Sequence, residues 1–260
     1  MKFQAKLLAI TVAVASSFLT ACSTSVDPAE AYKGETAQQI FNKGESELRA
    51  RSYSEAIKRF EALDAQYPYE HDTETAHLHI IYAYYMSSDY ASAEAAADRF
   101  VHAYPTSPHA DYAYYMRGLS NYFQNMGVFE KIFAVDLATR DLTQVKKSYA
   151  DFAEVVKVYP NSYYAPAAHQ YMVYLRNLLA NHDLEVAQYY YGRGAYVAAA
   201  DRANMVVREF QGAPAVPKAL VIMVKSYRHL GLAKPENDAM QVLQYNYANS
   251  TYVKNAMQKD

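Results

Sequence analysis

Ser52-Tyr53-Ser54-Glu55-Ala56-Ile57-Lys58-Arg59-Phe60-Glu61-Ala62-Leu63-Asp64-Ala65-Gln66-Tyr67-Pro68 is the stretch that decides the fold. Ser52 followed by Glu55 reads as a capping box, with Ser at the N-cap and Glu at N3. Ala56, Phe60 and Leu63 fall at i, i+4 and i+7 and form one apolar stripe on the helix so begun. Pro68 cannot continue that helix. Upstream, Ala37-Gln38-Gln39-Ile40-Phe41 opens an earlier helix, whose Gly44 lies nine residues before Tyr53. Small residues at Gly44 and Ala56 let two antiparallel helices approach closely.

The frame returns along the chain: an aromatic or β-branched residue, a small residue three positions on, and an aromatic fourteen positions on. The copies are Tyr53, Ala56, Tyr67-Pro68; Tyr90, Ala93, Tyr104-Pro105; Val145, Ser148, Tyr159-Pro160; and Tyr196, Ala199, Phe210, the last followed by Gln211 instead of Pro. Gly44, Tyr53, Ala56, Phe60 and Pro68 together resemble the tetratricopeptide repeat. Ser107-Pro108 reads as an N-cap followed by Pro at N1. The third copy is delayed by an insertion around Asn121 to Leu142, after which Asp141 to Gln144 reads as a further cap. The expected fold class is all-α, a tetratricopeptide-repeat superhelix of about five helix pairs. The expected units are 37–70, 71–107, 108–162, 163–213 and 214–250, followed by a short tail to residue 260. The altered Phe210-Gln211-Gly212 junction predicts a different turn between the fourth and fifth units.

The first 21 residues read as a signal segment. Lys2 and Lys6 precede the uncharged run Leu7 to Leu19, which at about 13 residues falls short of the ~18–20 that span a bilayer. Leu19-Thr20-Ala21-Cys22 resembles the lipobox of bacterial lipoproteins, in which the Cys is lipidated and becomes the new N-terminus. Cys22 is the only cysteine in the chain, so lipidation leaves no thiol for a disulfide or a nucleophile. Ser23, where lipoproteins retained at the inner membrane carry Asp, directs the expectation to the outer membrane. Residues 22–36 are polar and aperiodic and read as a lipidated flexible tether, about 14 residues reaching at most ~45 Å when extended. Without Lys2 and Lys6, the 25 basic residues become 23 against 27 acidic, a net charge of −4. No basic face calls for nucleic acid.

Tyrosine dominates the composition, with 27 Tyr and no Trp. Such rings suit both packing between repeats and a binding groove, and most are expected to pack. Of the eight His, His77 and His79 point to different helix faces, so no metal set is expected. Gly192-Arg193-Gly194 follows no strand and reads as a turn between helices, not a phosphate cradle. Glu45, Glu47, Asp136 and Asp141 read as solvated faces and caps. No nucleophile elbow or acid–base pair stands out, so the expectation is a non-enzymatic protein without cofactor or metal.

The order of Ala62-Leu63-Asp64, Ile81-Tyr82-Ala83-Tyr84-Tyr85, Asp98-Arg99-Phe100, Tyr115-Met116-Arg117-Gly118-Leu119, Val135-Asp136, Arg140-Asp141, Tyr159-Pro160-Asn161-Ser162 and Arg193-Gly194-Ala195 resembles the BamD family over essentially the whole mature chain. These are the tetratricopeptide lipoproteins of the β-barrel assembly machinery. The resemblance implies an outer-membrane location on the periplasmic face and a scaffold role. It implies binding of a BamA POTRA domain through C-terminal repeats, association with BamC and BamE, and receipt of targeting signals of unfolded outer-membrane proteins through N-terminal repeats. By the same resemblance Arg202 matches an Arg tied to the BamA contact, and Tyr67 one implicated in the N-terminal groove. Each has a plainer reading, Arg202 as a solvated helix residue and Tyr67 as a packed repeat position. The alternative function is a pilotin-like repeat lipoprotein that assists secretin or pilus assembly. An enzyme built on an α-solenoid is a third possibility with no motif behind it.

Overall fold

The computed structural model describes residues 27–129 and 142–258, and among them it contains eleven helices and no strand. They are α1 (Ala37–Arg49), α2 (Tyr53–Gln66), α3 (His71–Met86), α4 (Tyr90–Ala103), α5 (Ala110–Phe129), α6 (Thr143–Val158), α7 (Ala165–Gly192), α8 (Tyr196–Glu209), α9 (Val216–His229), α10 (Ala233–Tyr247) and α11 (Thr251–Met257). The chain forms two compact units that divide between Ala76 and His77, within α3. In the first unit α1 packs on α2. In the second, each helix from α4 to α10 packs on its successor, and α11 closes on α9 and α10. This is the all-α, tetratricopeptide-type arrangement that the repeated frame predicts.

The frame has a simple physical meaning. In every copy, positions +3, +7 and +10 are fully buried: Ala56, Phe60 and Leu63; Ala93, Ala97 and Phe100; Ser148, Phe152 and Val155; Ala199, Ala203 and Val206. These are the turns of one helix face. Where +7 is Phe, the facing helix supplies glycine. A Cβ on Gly44 would stand 2.7 Å from Phe60 Cε1, and one on Gly118 would stand 2.9 Å from Phe152 Cε1. Where +7 is Ala97, the position nine residues before the frame's start is the large, buried Ile81. In the fourth copy both positions are small and fully buried, Ala203 and Ala187.

Two kinds of turn alternate. Within a helix pair, Ser52, Asp89, Ala195 and Leu232 donate their N–H to the carbonyls of Glu47, Tyr84, Tyr190 and Tyr227, the six-to-one bond of a Schellman cap. The preceding residue is left-handed each time: Arg51 at φ 62°, Ser88 at 62°, Gly194 at 73° and Gly231 at 68°. Between pairs, the +14 aromatic is the C-cap, and its carbonyl accepts from the N–H three residues on. Tyr67 receives Glu70, Tyr104 receives Ser107, Tyr159 receives Ser162 and Phe210 receives Ala213. The junction at Gln211 therefore keeps the hydrogen bond of the other three. What changes is the third turn position, where Gly212 has φ 78° while Tyr69, Thr106 and Asn161 stay out of that region. Glycine makes the type II form of the turn available without the Pro.

Two caps differ from the sequence reading. Ser52 makes no side-chain capping bond, the Glu55 N–H donating to the Ser52 carbonyl instead, and the reciprocal half of the box is missing because the Ser52 N–H is donated to Glu47 while the Glu55 carboxylate receives the Tyr32 hydroxyl at 2.6 Å. The complete capping box lies one helix earlier, between Thr36 and Gln39. Ser107 does not begin α5 directly. Its hydroxyl accepts from His109 N–H, and the helix starts at Ala110. Asp136, Arg140 and Asp141 lie outside the described residues, and Leu142 precedes α6 without a side-chain cap.

Candidate functional site

In the first unit, residues 27–35 form turns that lie along α2, although the sequence reads them as part of a free tether. Gln66, in the last turn of α2, donates its side-chain amide to the carbonyls of Pro28 (2.9 Å) and Ala31 (2.6 Å). Tyr32, in the left-handed region at φ 56°, places its ring under the Arg59 guanidinium at 4.1 Å and its hydroxyl on Glu55. Burial, followed by the hydrogen bond to Glu55, pushes the Tyr32 phenol up to about 12. Glu35 receives Lys43 at 2.9 Å and Arg59 at 3.5 Å.

Tyr67 sits at the end of this assembly. It is the C-cap of α2, half-buried, and its hydroxyl donates to the Glu35 carbonyl at 3.0 Å. With Thr36, Ala37, Gln38, Glu70 and Asp72 it lines an open pocket of about 350 Å³. The pocket pairs one aromatic wall with two carboxylates and small polar groups. Tyr69, two residues on, is fully exposed.

The second unit carries a larger cleft of about 610 Å³, lined by Glu94, Asp98 and Arg99 of α4, Arg117 and Asn121 of α5, and Lys147 and Asp151 of α6. Arg117 organises it. Its Nε and Nη2 donate to Asp151 Oδ1 at 2.8 and 2.6 Å, and its Nη1 donates to Asp98 Oδ1 at 2.6 Å. Asn121 donates to Asp151 Oδ2 at 3.0 Å. Burial pushes the Asp151 carboxyl up, against the pull of Arg117 and Asn121. One guanidinium thus joins three consecutive helices. The sequence gives no sign of this network, because residues 98, 117 and 151 share no spacing that marks them.

Arg202 lies in the second unit on α8, half-buried, and among the described residues it makes no ion pair. Met205, 44% exposed, is its neighbour one turn on, whereas Val197, 61% exposed, lies on a different side of the helix. Tyr67 and Arg202 thus belong to different units. Cys22 lies outside the described residues. Among the described residues no group of His, Cys, Asp and Glu could hold a metal ion, and no helix is long and apolar enough to cross a membrane. His77 packs edge-on to Tyr104 at 5.6 Å. Tyrosines serve both expected roles. Tyr115 stacks on Tyr164 and Phe152 on Tyr171, whereas Tyr163 and Tyr245 are 90% exposed.

The described helices define an all-α protein of the tetratricopeptide-repeat class. The chain belongs to the YfiO family of outer membrane lipoproteins, whose model matches residues 33–243. It is accordingly a lipid-anchored protein of the outer membrane. It is 33% identical over 245 residues to the outer membrane protein assembly factor BamD of Neisseria meningitidis, covering 93% of this chain and 92% of that one. The BamD of Xylella fastidiosa is 36% identical over 221 residues, covering 85% of this chain and 75% of that one. The BamD of Haemophilus influenzae is 33% identical over 235 residues, with 90% and 88% covered.

Proposed function

We propose that this chain acts in outer-membrane protein assembly as a non-enzymatic scaffold and substrate-receiving subunit. The observation that carries the reading is the relationship to BamD proteins, which extends over nearly the whole chain and is not limited to the repeat pattern. In this reading Cys22 carries the lipid on the periplasmic face. The C-terminal repeats bind a POTRA domain of BamA, with BamC and BamE as further partners. Arg202 supports that assignment as a half-buried cation that makes no ion pair among the described residues, with the exposed Met205 one turn on. Desolvated Arg beside apolar side chains is a common hot-spot composition.

The N-terminal repeats receive the targeting signals of unfolded outer-membrane proteins. The pocket beside Tyr67 has the mixed aromatic and polar lining that grips one side chain of an extended peptide while leaving its sequence largely free. The test is direct binding of the purified chain to the BamA POTRA region, wild type against Arg202→Glu. Charge reversal at a buried contact is expected to weaken binding by about 2 kcal/mol or more, roughly thirtyfold, with helicity unchanged. Equal binding by the two proteins removes Arg202 from the interface.

A further inference from the structure

The docked segment 27–35 changes how far the protein can stand from its membrane. Read as free chain, the stretch after Cys22 reaches ~45 Å. With Pro28 and Ala31 bonded to Gln66, and Tyr32 clamped by Arg59 and Glu55, only the step from Cys22 to Asp27 is left as connection. Five residues span at most ~18 Å. These bonds also fix which part of the unit meets the membrane. Gln66 is in the last turn of α2, and Pro68-Tyr69 follow at once. The end of the unit nearest the anchor therefore bears Tyr69, a ring with complete exposure that nothing in its own unit covers.

We propose that this end of the first unit rests on the bilayer surface, with the Tyr69 ring seated in the headgroup layer. The inference relies on lipid attachment at Cys22. Tyrosine favours that layer because its ring is apolar and its hydroxyl stays wet. Glu30 is paired with Lys33, but Asp27, Glu70 and Asp72 leave an excess of carboxylates in the segments next to Tyr69, so the partner is a zwitterionic lipid surface and not an anionic one. The pocket beside Tyr67 then opens close to the membrane, where a peptide received there is already near its destination.

The absence of tryptophan gives a clean probe. Tyr69→Trp, in the full lipidated chain bound to zwitterionic vesicles that carry a headgroup-level quencher lipid, reports its own depth. Ser52→Trp, at the other end of a 14-residue helix and ~21 Å away along it, is the reference. The indole of the Tyr69→Trp chain is expected to be quenched at least roughly twofold more than that of the Ser52→Trp chain. Tyr32→Ala with Gln66→Ala, added to each of the two chains, frees the segment and is expected to abolish the difference while vesicle co-sedimentation persists. Equal quenching of the two indoles, or a difference that survives release of the segment, overturns the proposal. Cys22→Ser distinguishes failure of the anchor from failure of the short tether. If that variant still sediments with vesicles, the anchor assignment fails; if it does not, any failure of the Tyr69→Trp readout belongs to the short-tether inference alone.

Discussion

Gly44→Ala tests the packing rule behind the repeat frame. Gly44 is buried in α1, and on helix propensity alone alanine should stabilise it by ~1 kcal/mol. The added methyl, however, would lie 2.7, 3.0 and 3.1 Å from Phe60 Cε1, Cζ and Cδ1, against an ordinary carbon–carbon contact of ~3.5–4.0 Å. Phe60 has no free volume to retreat into, being fully buried with its ring 5.9 Å from that of Phe41. Overpacking of this kind costs ~1–3 kcal/mol, so the net change is a loss of roughly 1 kcal/mol. Urea unfolding should show a lower midpoint at unchanged slope. Phe60→Leu alone is expected to cost ~1–1.5 kcal/mol through lost contact. In the double variant the new methyl occupies space the ring vacates, so the two losses should fall short of additivity by ~1 kcal/mol or more. A Gly44→Ala protein more stable than wild type, or losses that add within ~0.5 kcal/mol, refutes the reasoning.

Three further outcomes are expected. Arg117→Leu leaves the Asp151 carboxylate, 6% exposed, without its guanidinium; the cost should be ~3 kcal/mol, and Asp151→Asn in the same chain should recover a good part of it in thermal melts. Gly194→Ala puts a Cβ into open space at φ 73°, so backbone strain alone should cost ~1–2 kcal/mol, whereas Ser88→Gly relieves the same conformation and should be neutral or mildly stabilising. For Tyr32, a folded-state value of about 12 against an ordinary 10 means that the neutral phenol is favoured by folding. Its contribution is complete below pH 10 and is lost as pH rises towards 12. Amide hydrogen exchange of residues 27–35, corrected for the intrinsic pH dependence, should rise across that window in the wild type, while in Tyr32→Phe, which lacks the hydroxyl, it should already be raised at neutral pH and stay flat.

Much of the fold is legible in the sequence because the repeat constrains short-range chemistry. The +3, +7 and +10 positions are buried in all four copies, and the +14 aromatic is a C-cap in each. The Gln211 junction differs from the others at Gly212, as expected, yet keeps the hydrogen bond for a plain reason: the bond depends on the aromatic carbonyl and the third N–H, neither of which the Pro supplies. The docking of residues 27–35 carries no sequence signal, since it rests on backbone carbonyls meeting Gln66 and on a single left-handed Tyr32, and neither leaves a period. The same holds for Arg117, whose partners are 19 and 34 residues away. Of the candidate site residues, Tyr67 illustrates how the levels overlap. One position serves as repeat consensus, as helix cap, as latch for Glu35 and as pocket wall.

The central claim is that this lipid-anchored repeat protein works as a scaffold in outer-membrane protein assembly. Affinity purification of the tagged, full-length chain from gently solubilised outer membranes, with its partners identified by mass spectrometry, tests it most directly. The account predicts recovery of BamA at near-stoichiometric levels, sharply reduced with Arg202→Glu. Recovery of a secretin in the absence of BamA would contradict it and favour the pilotin-like alternative.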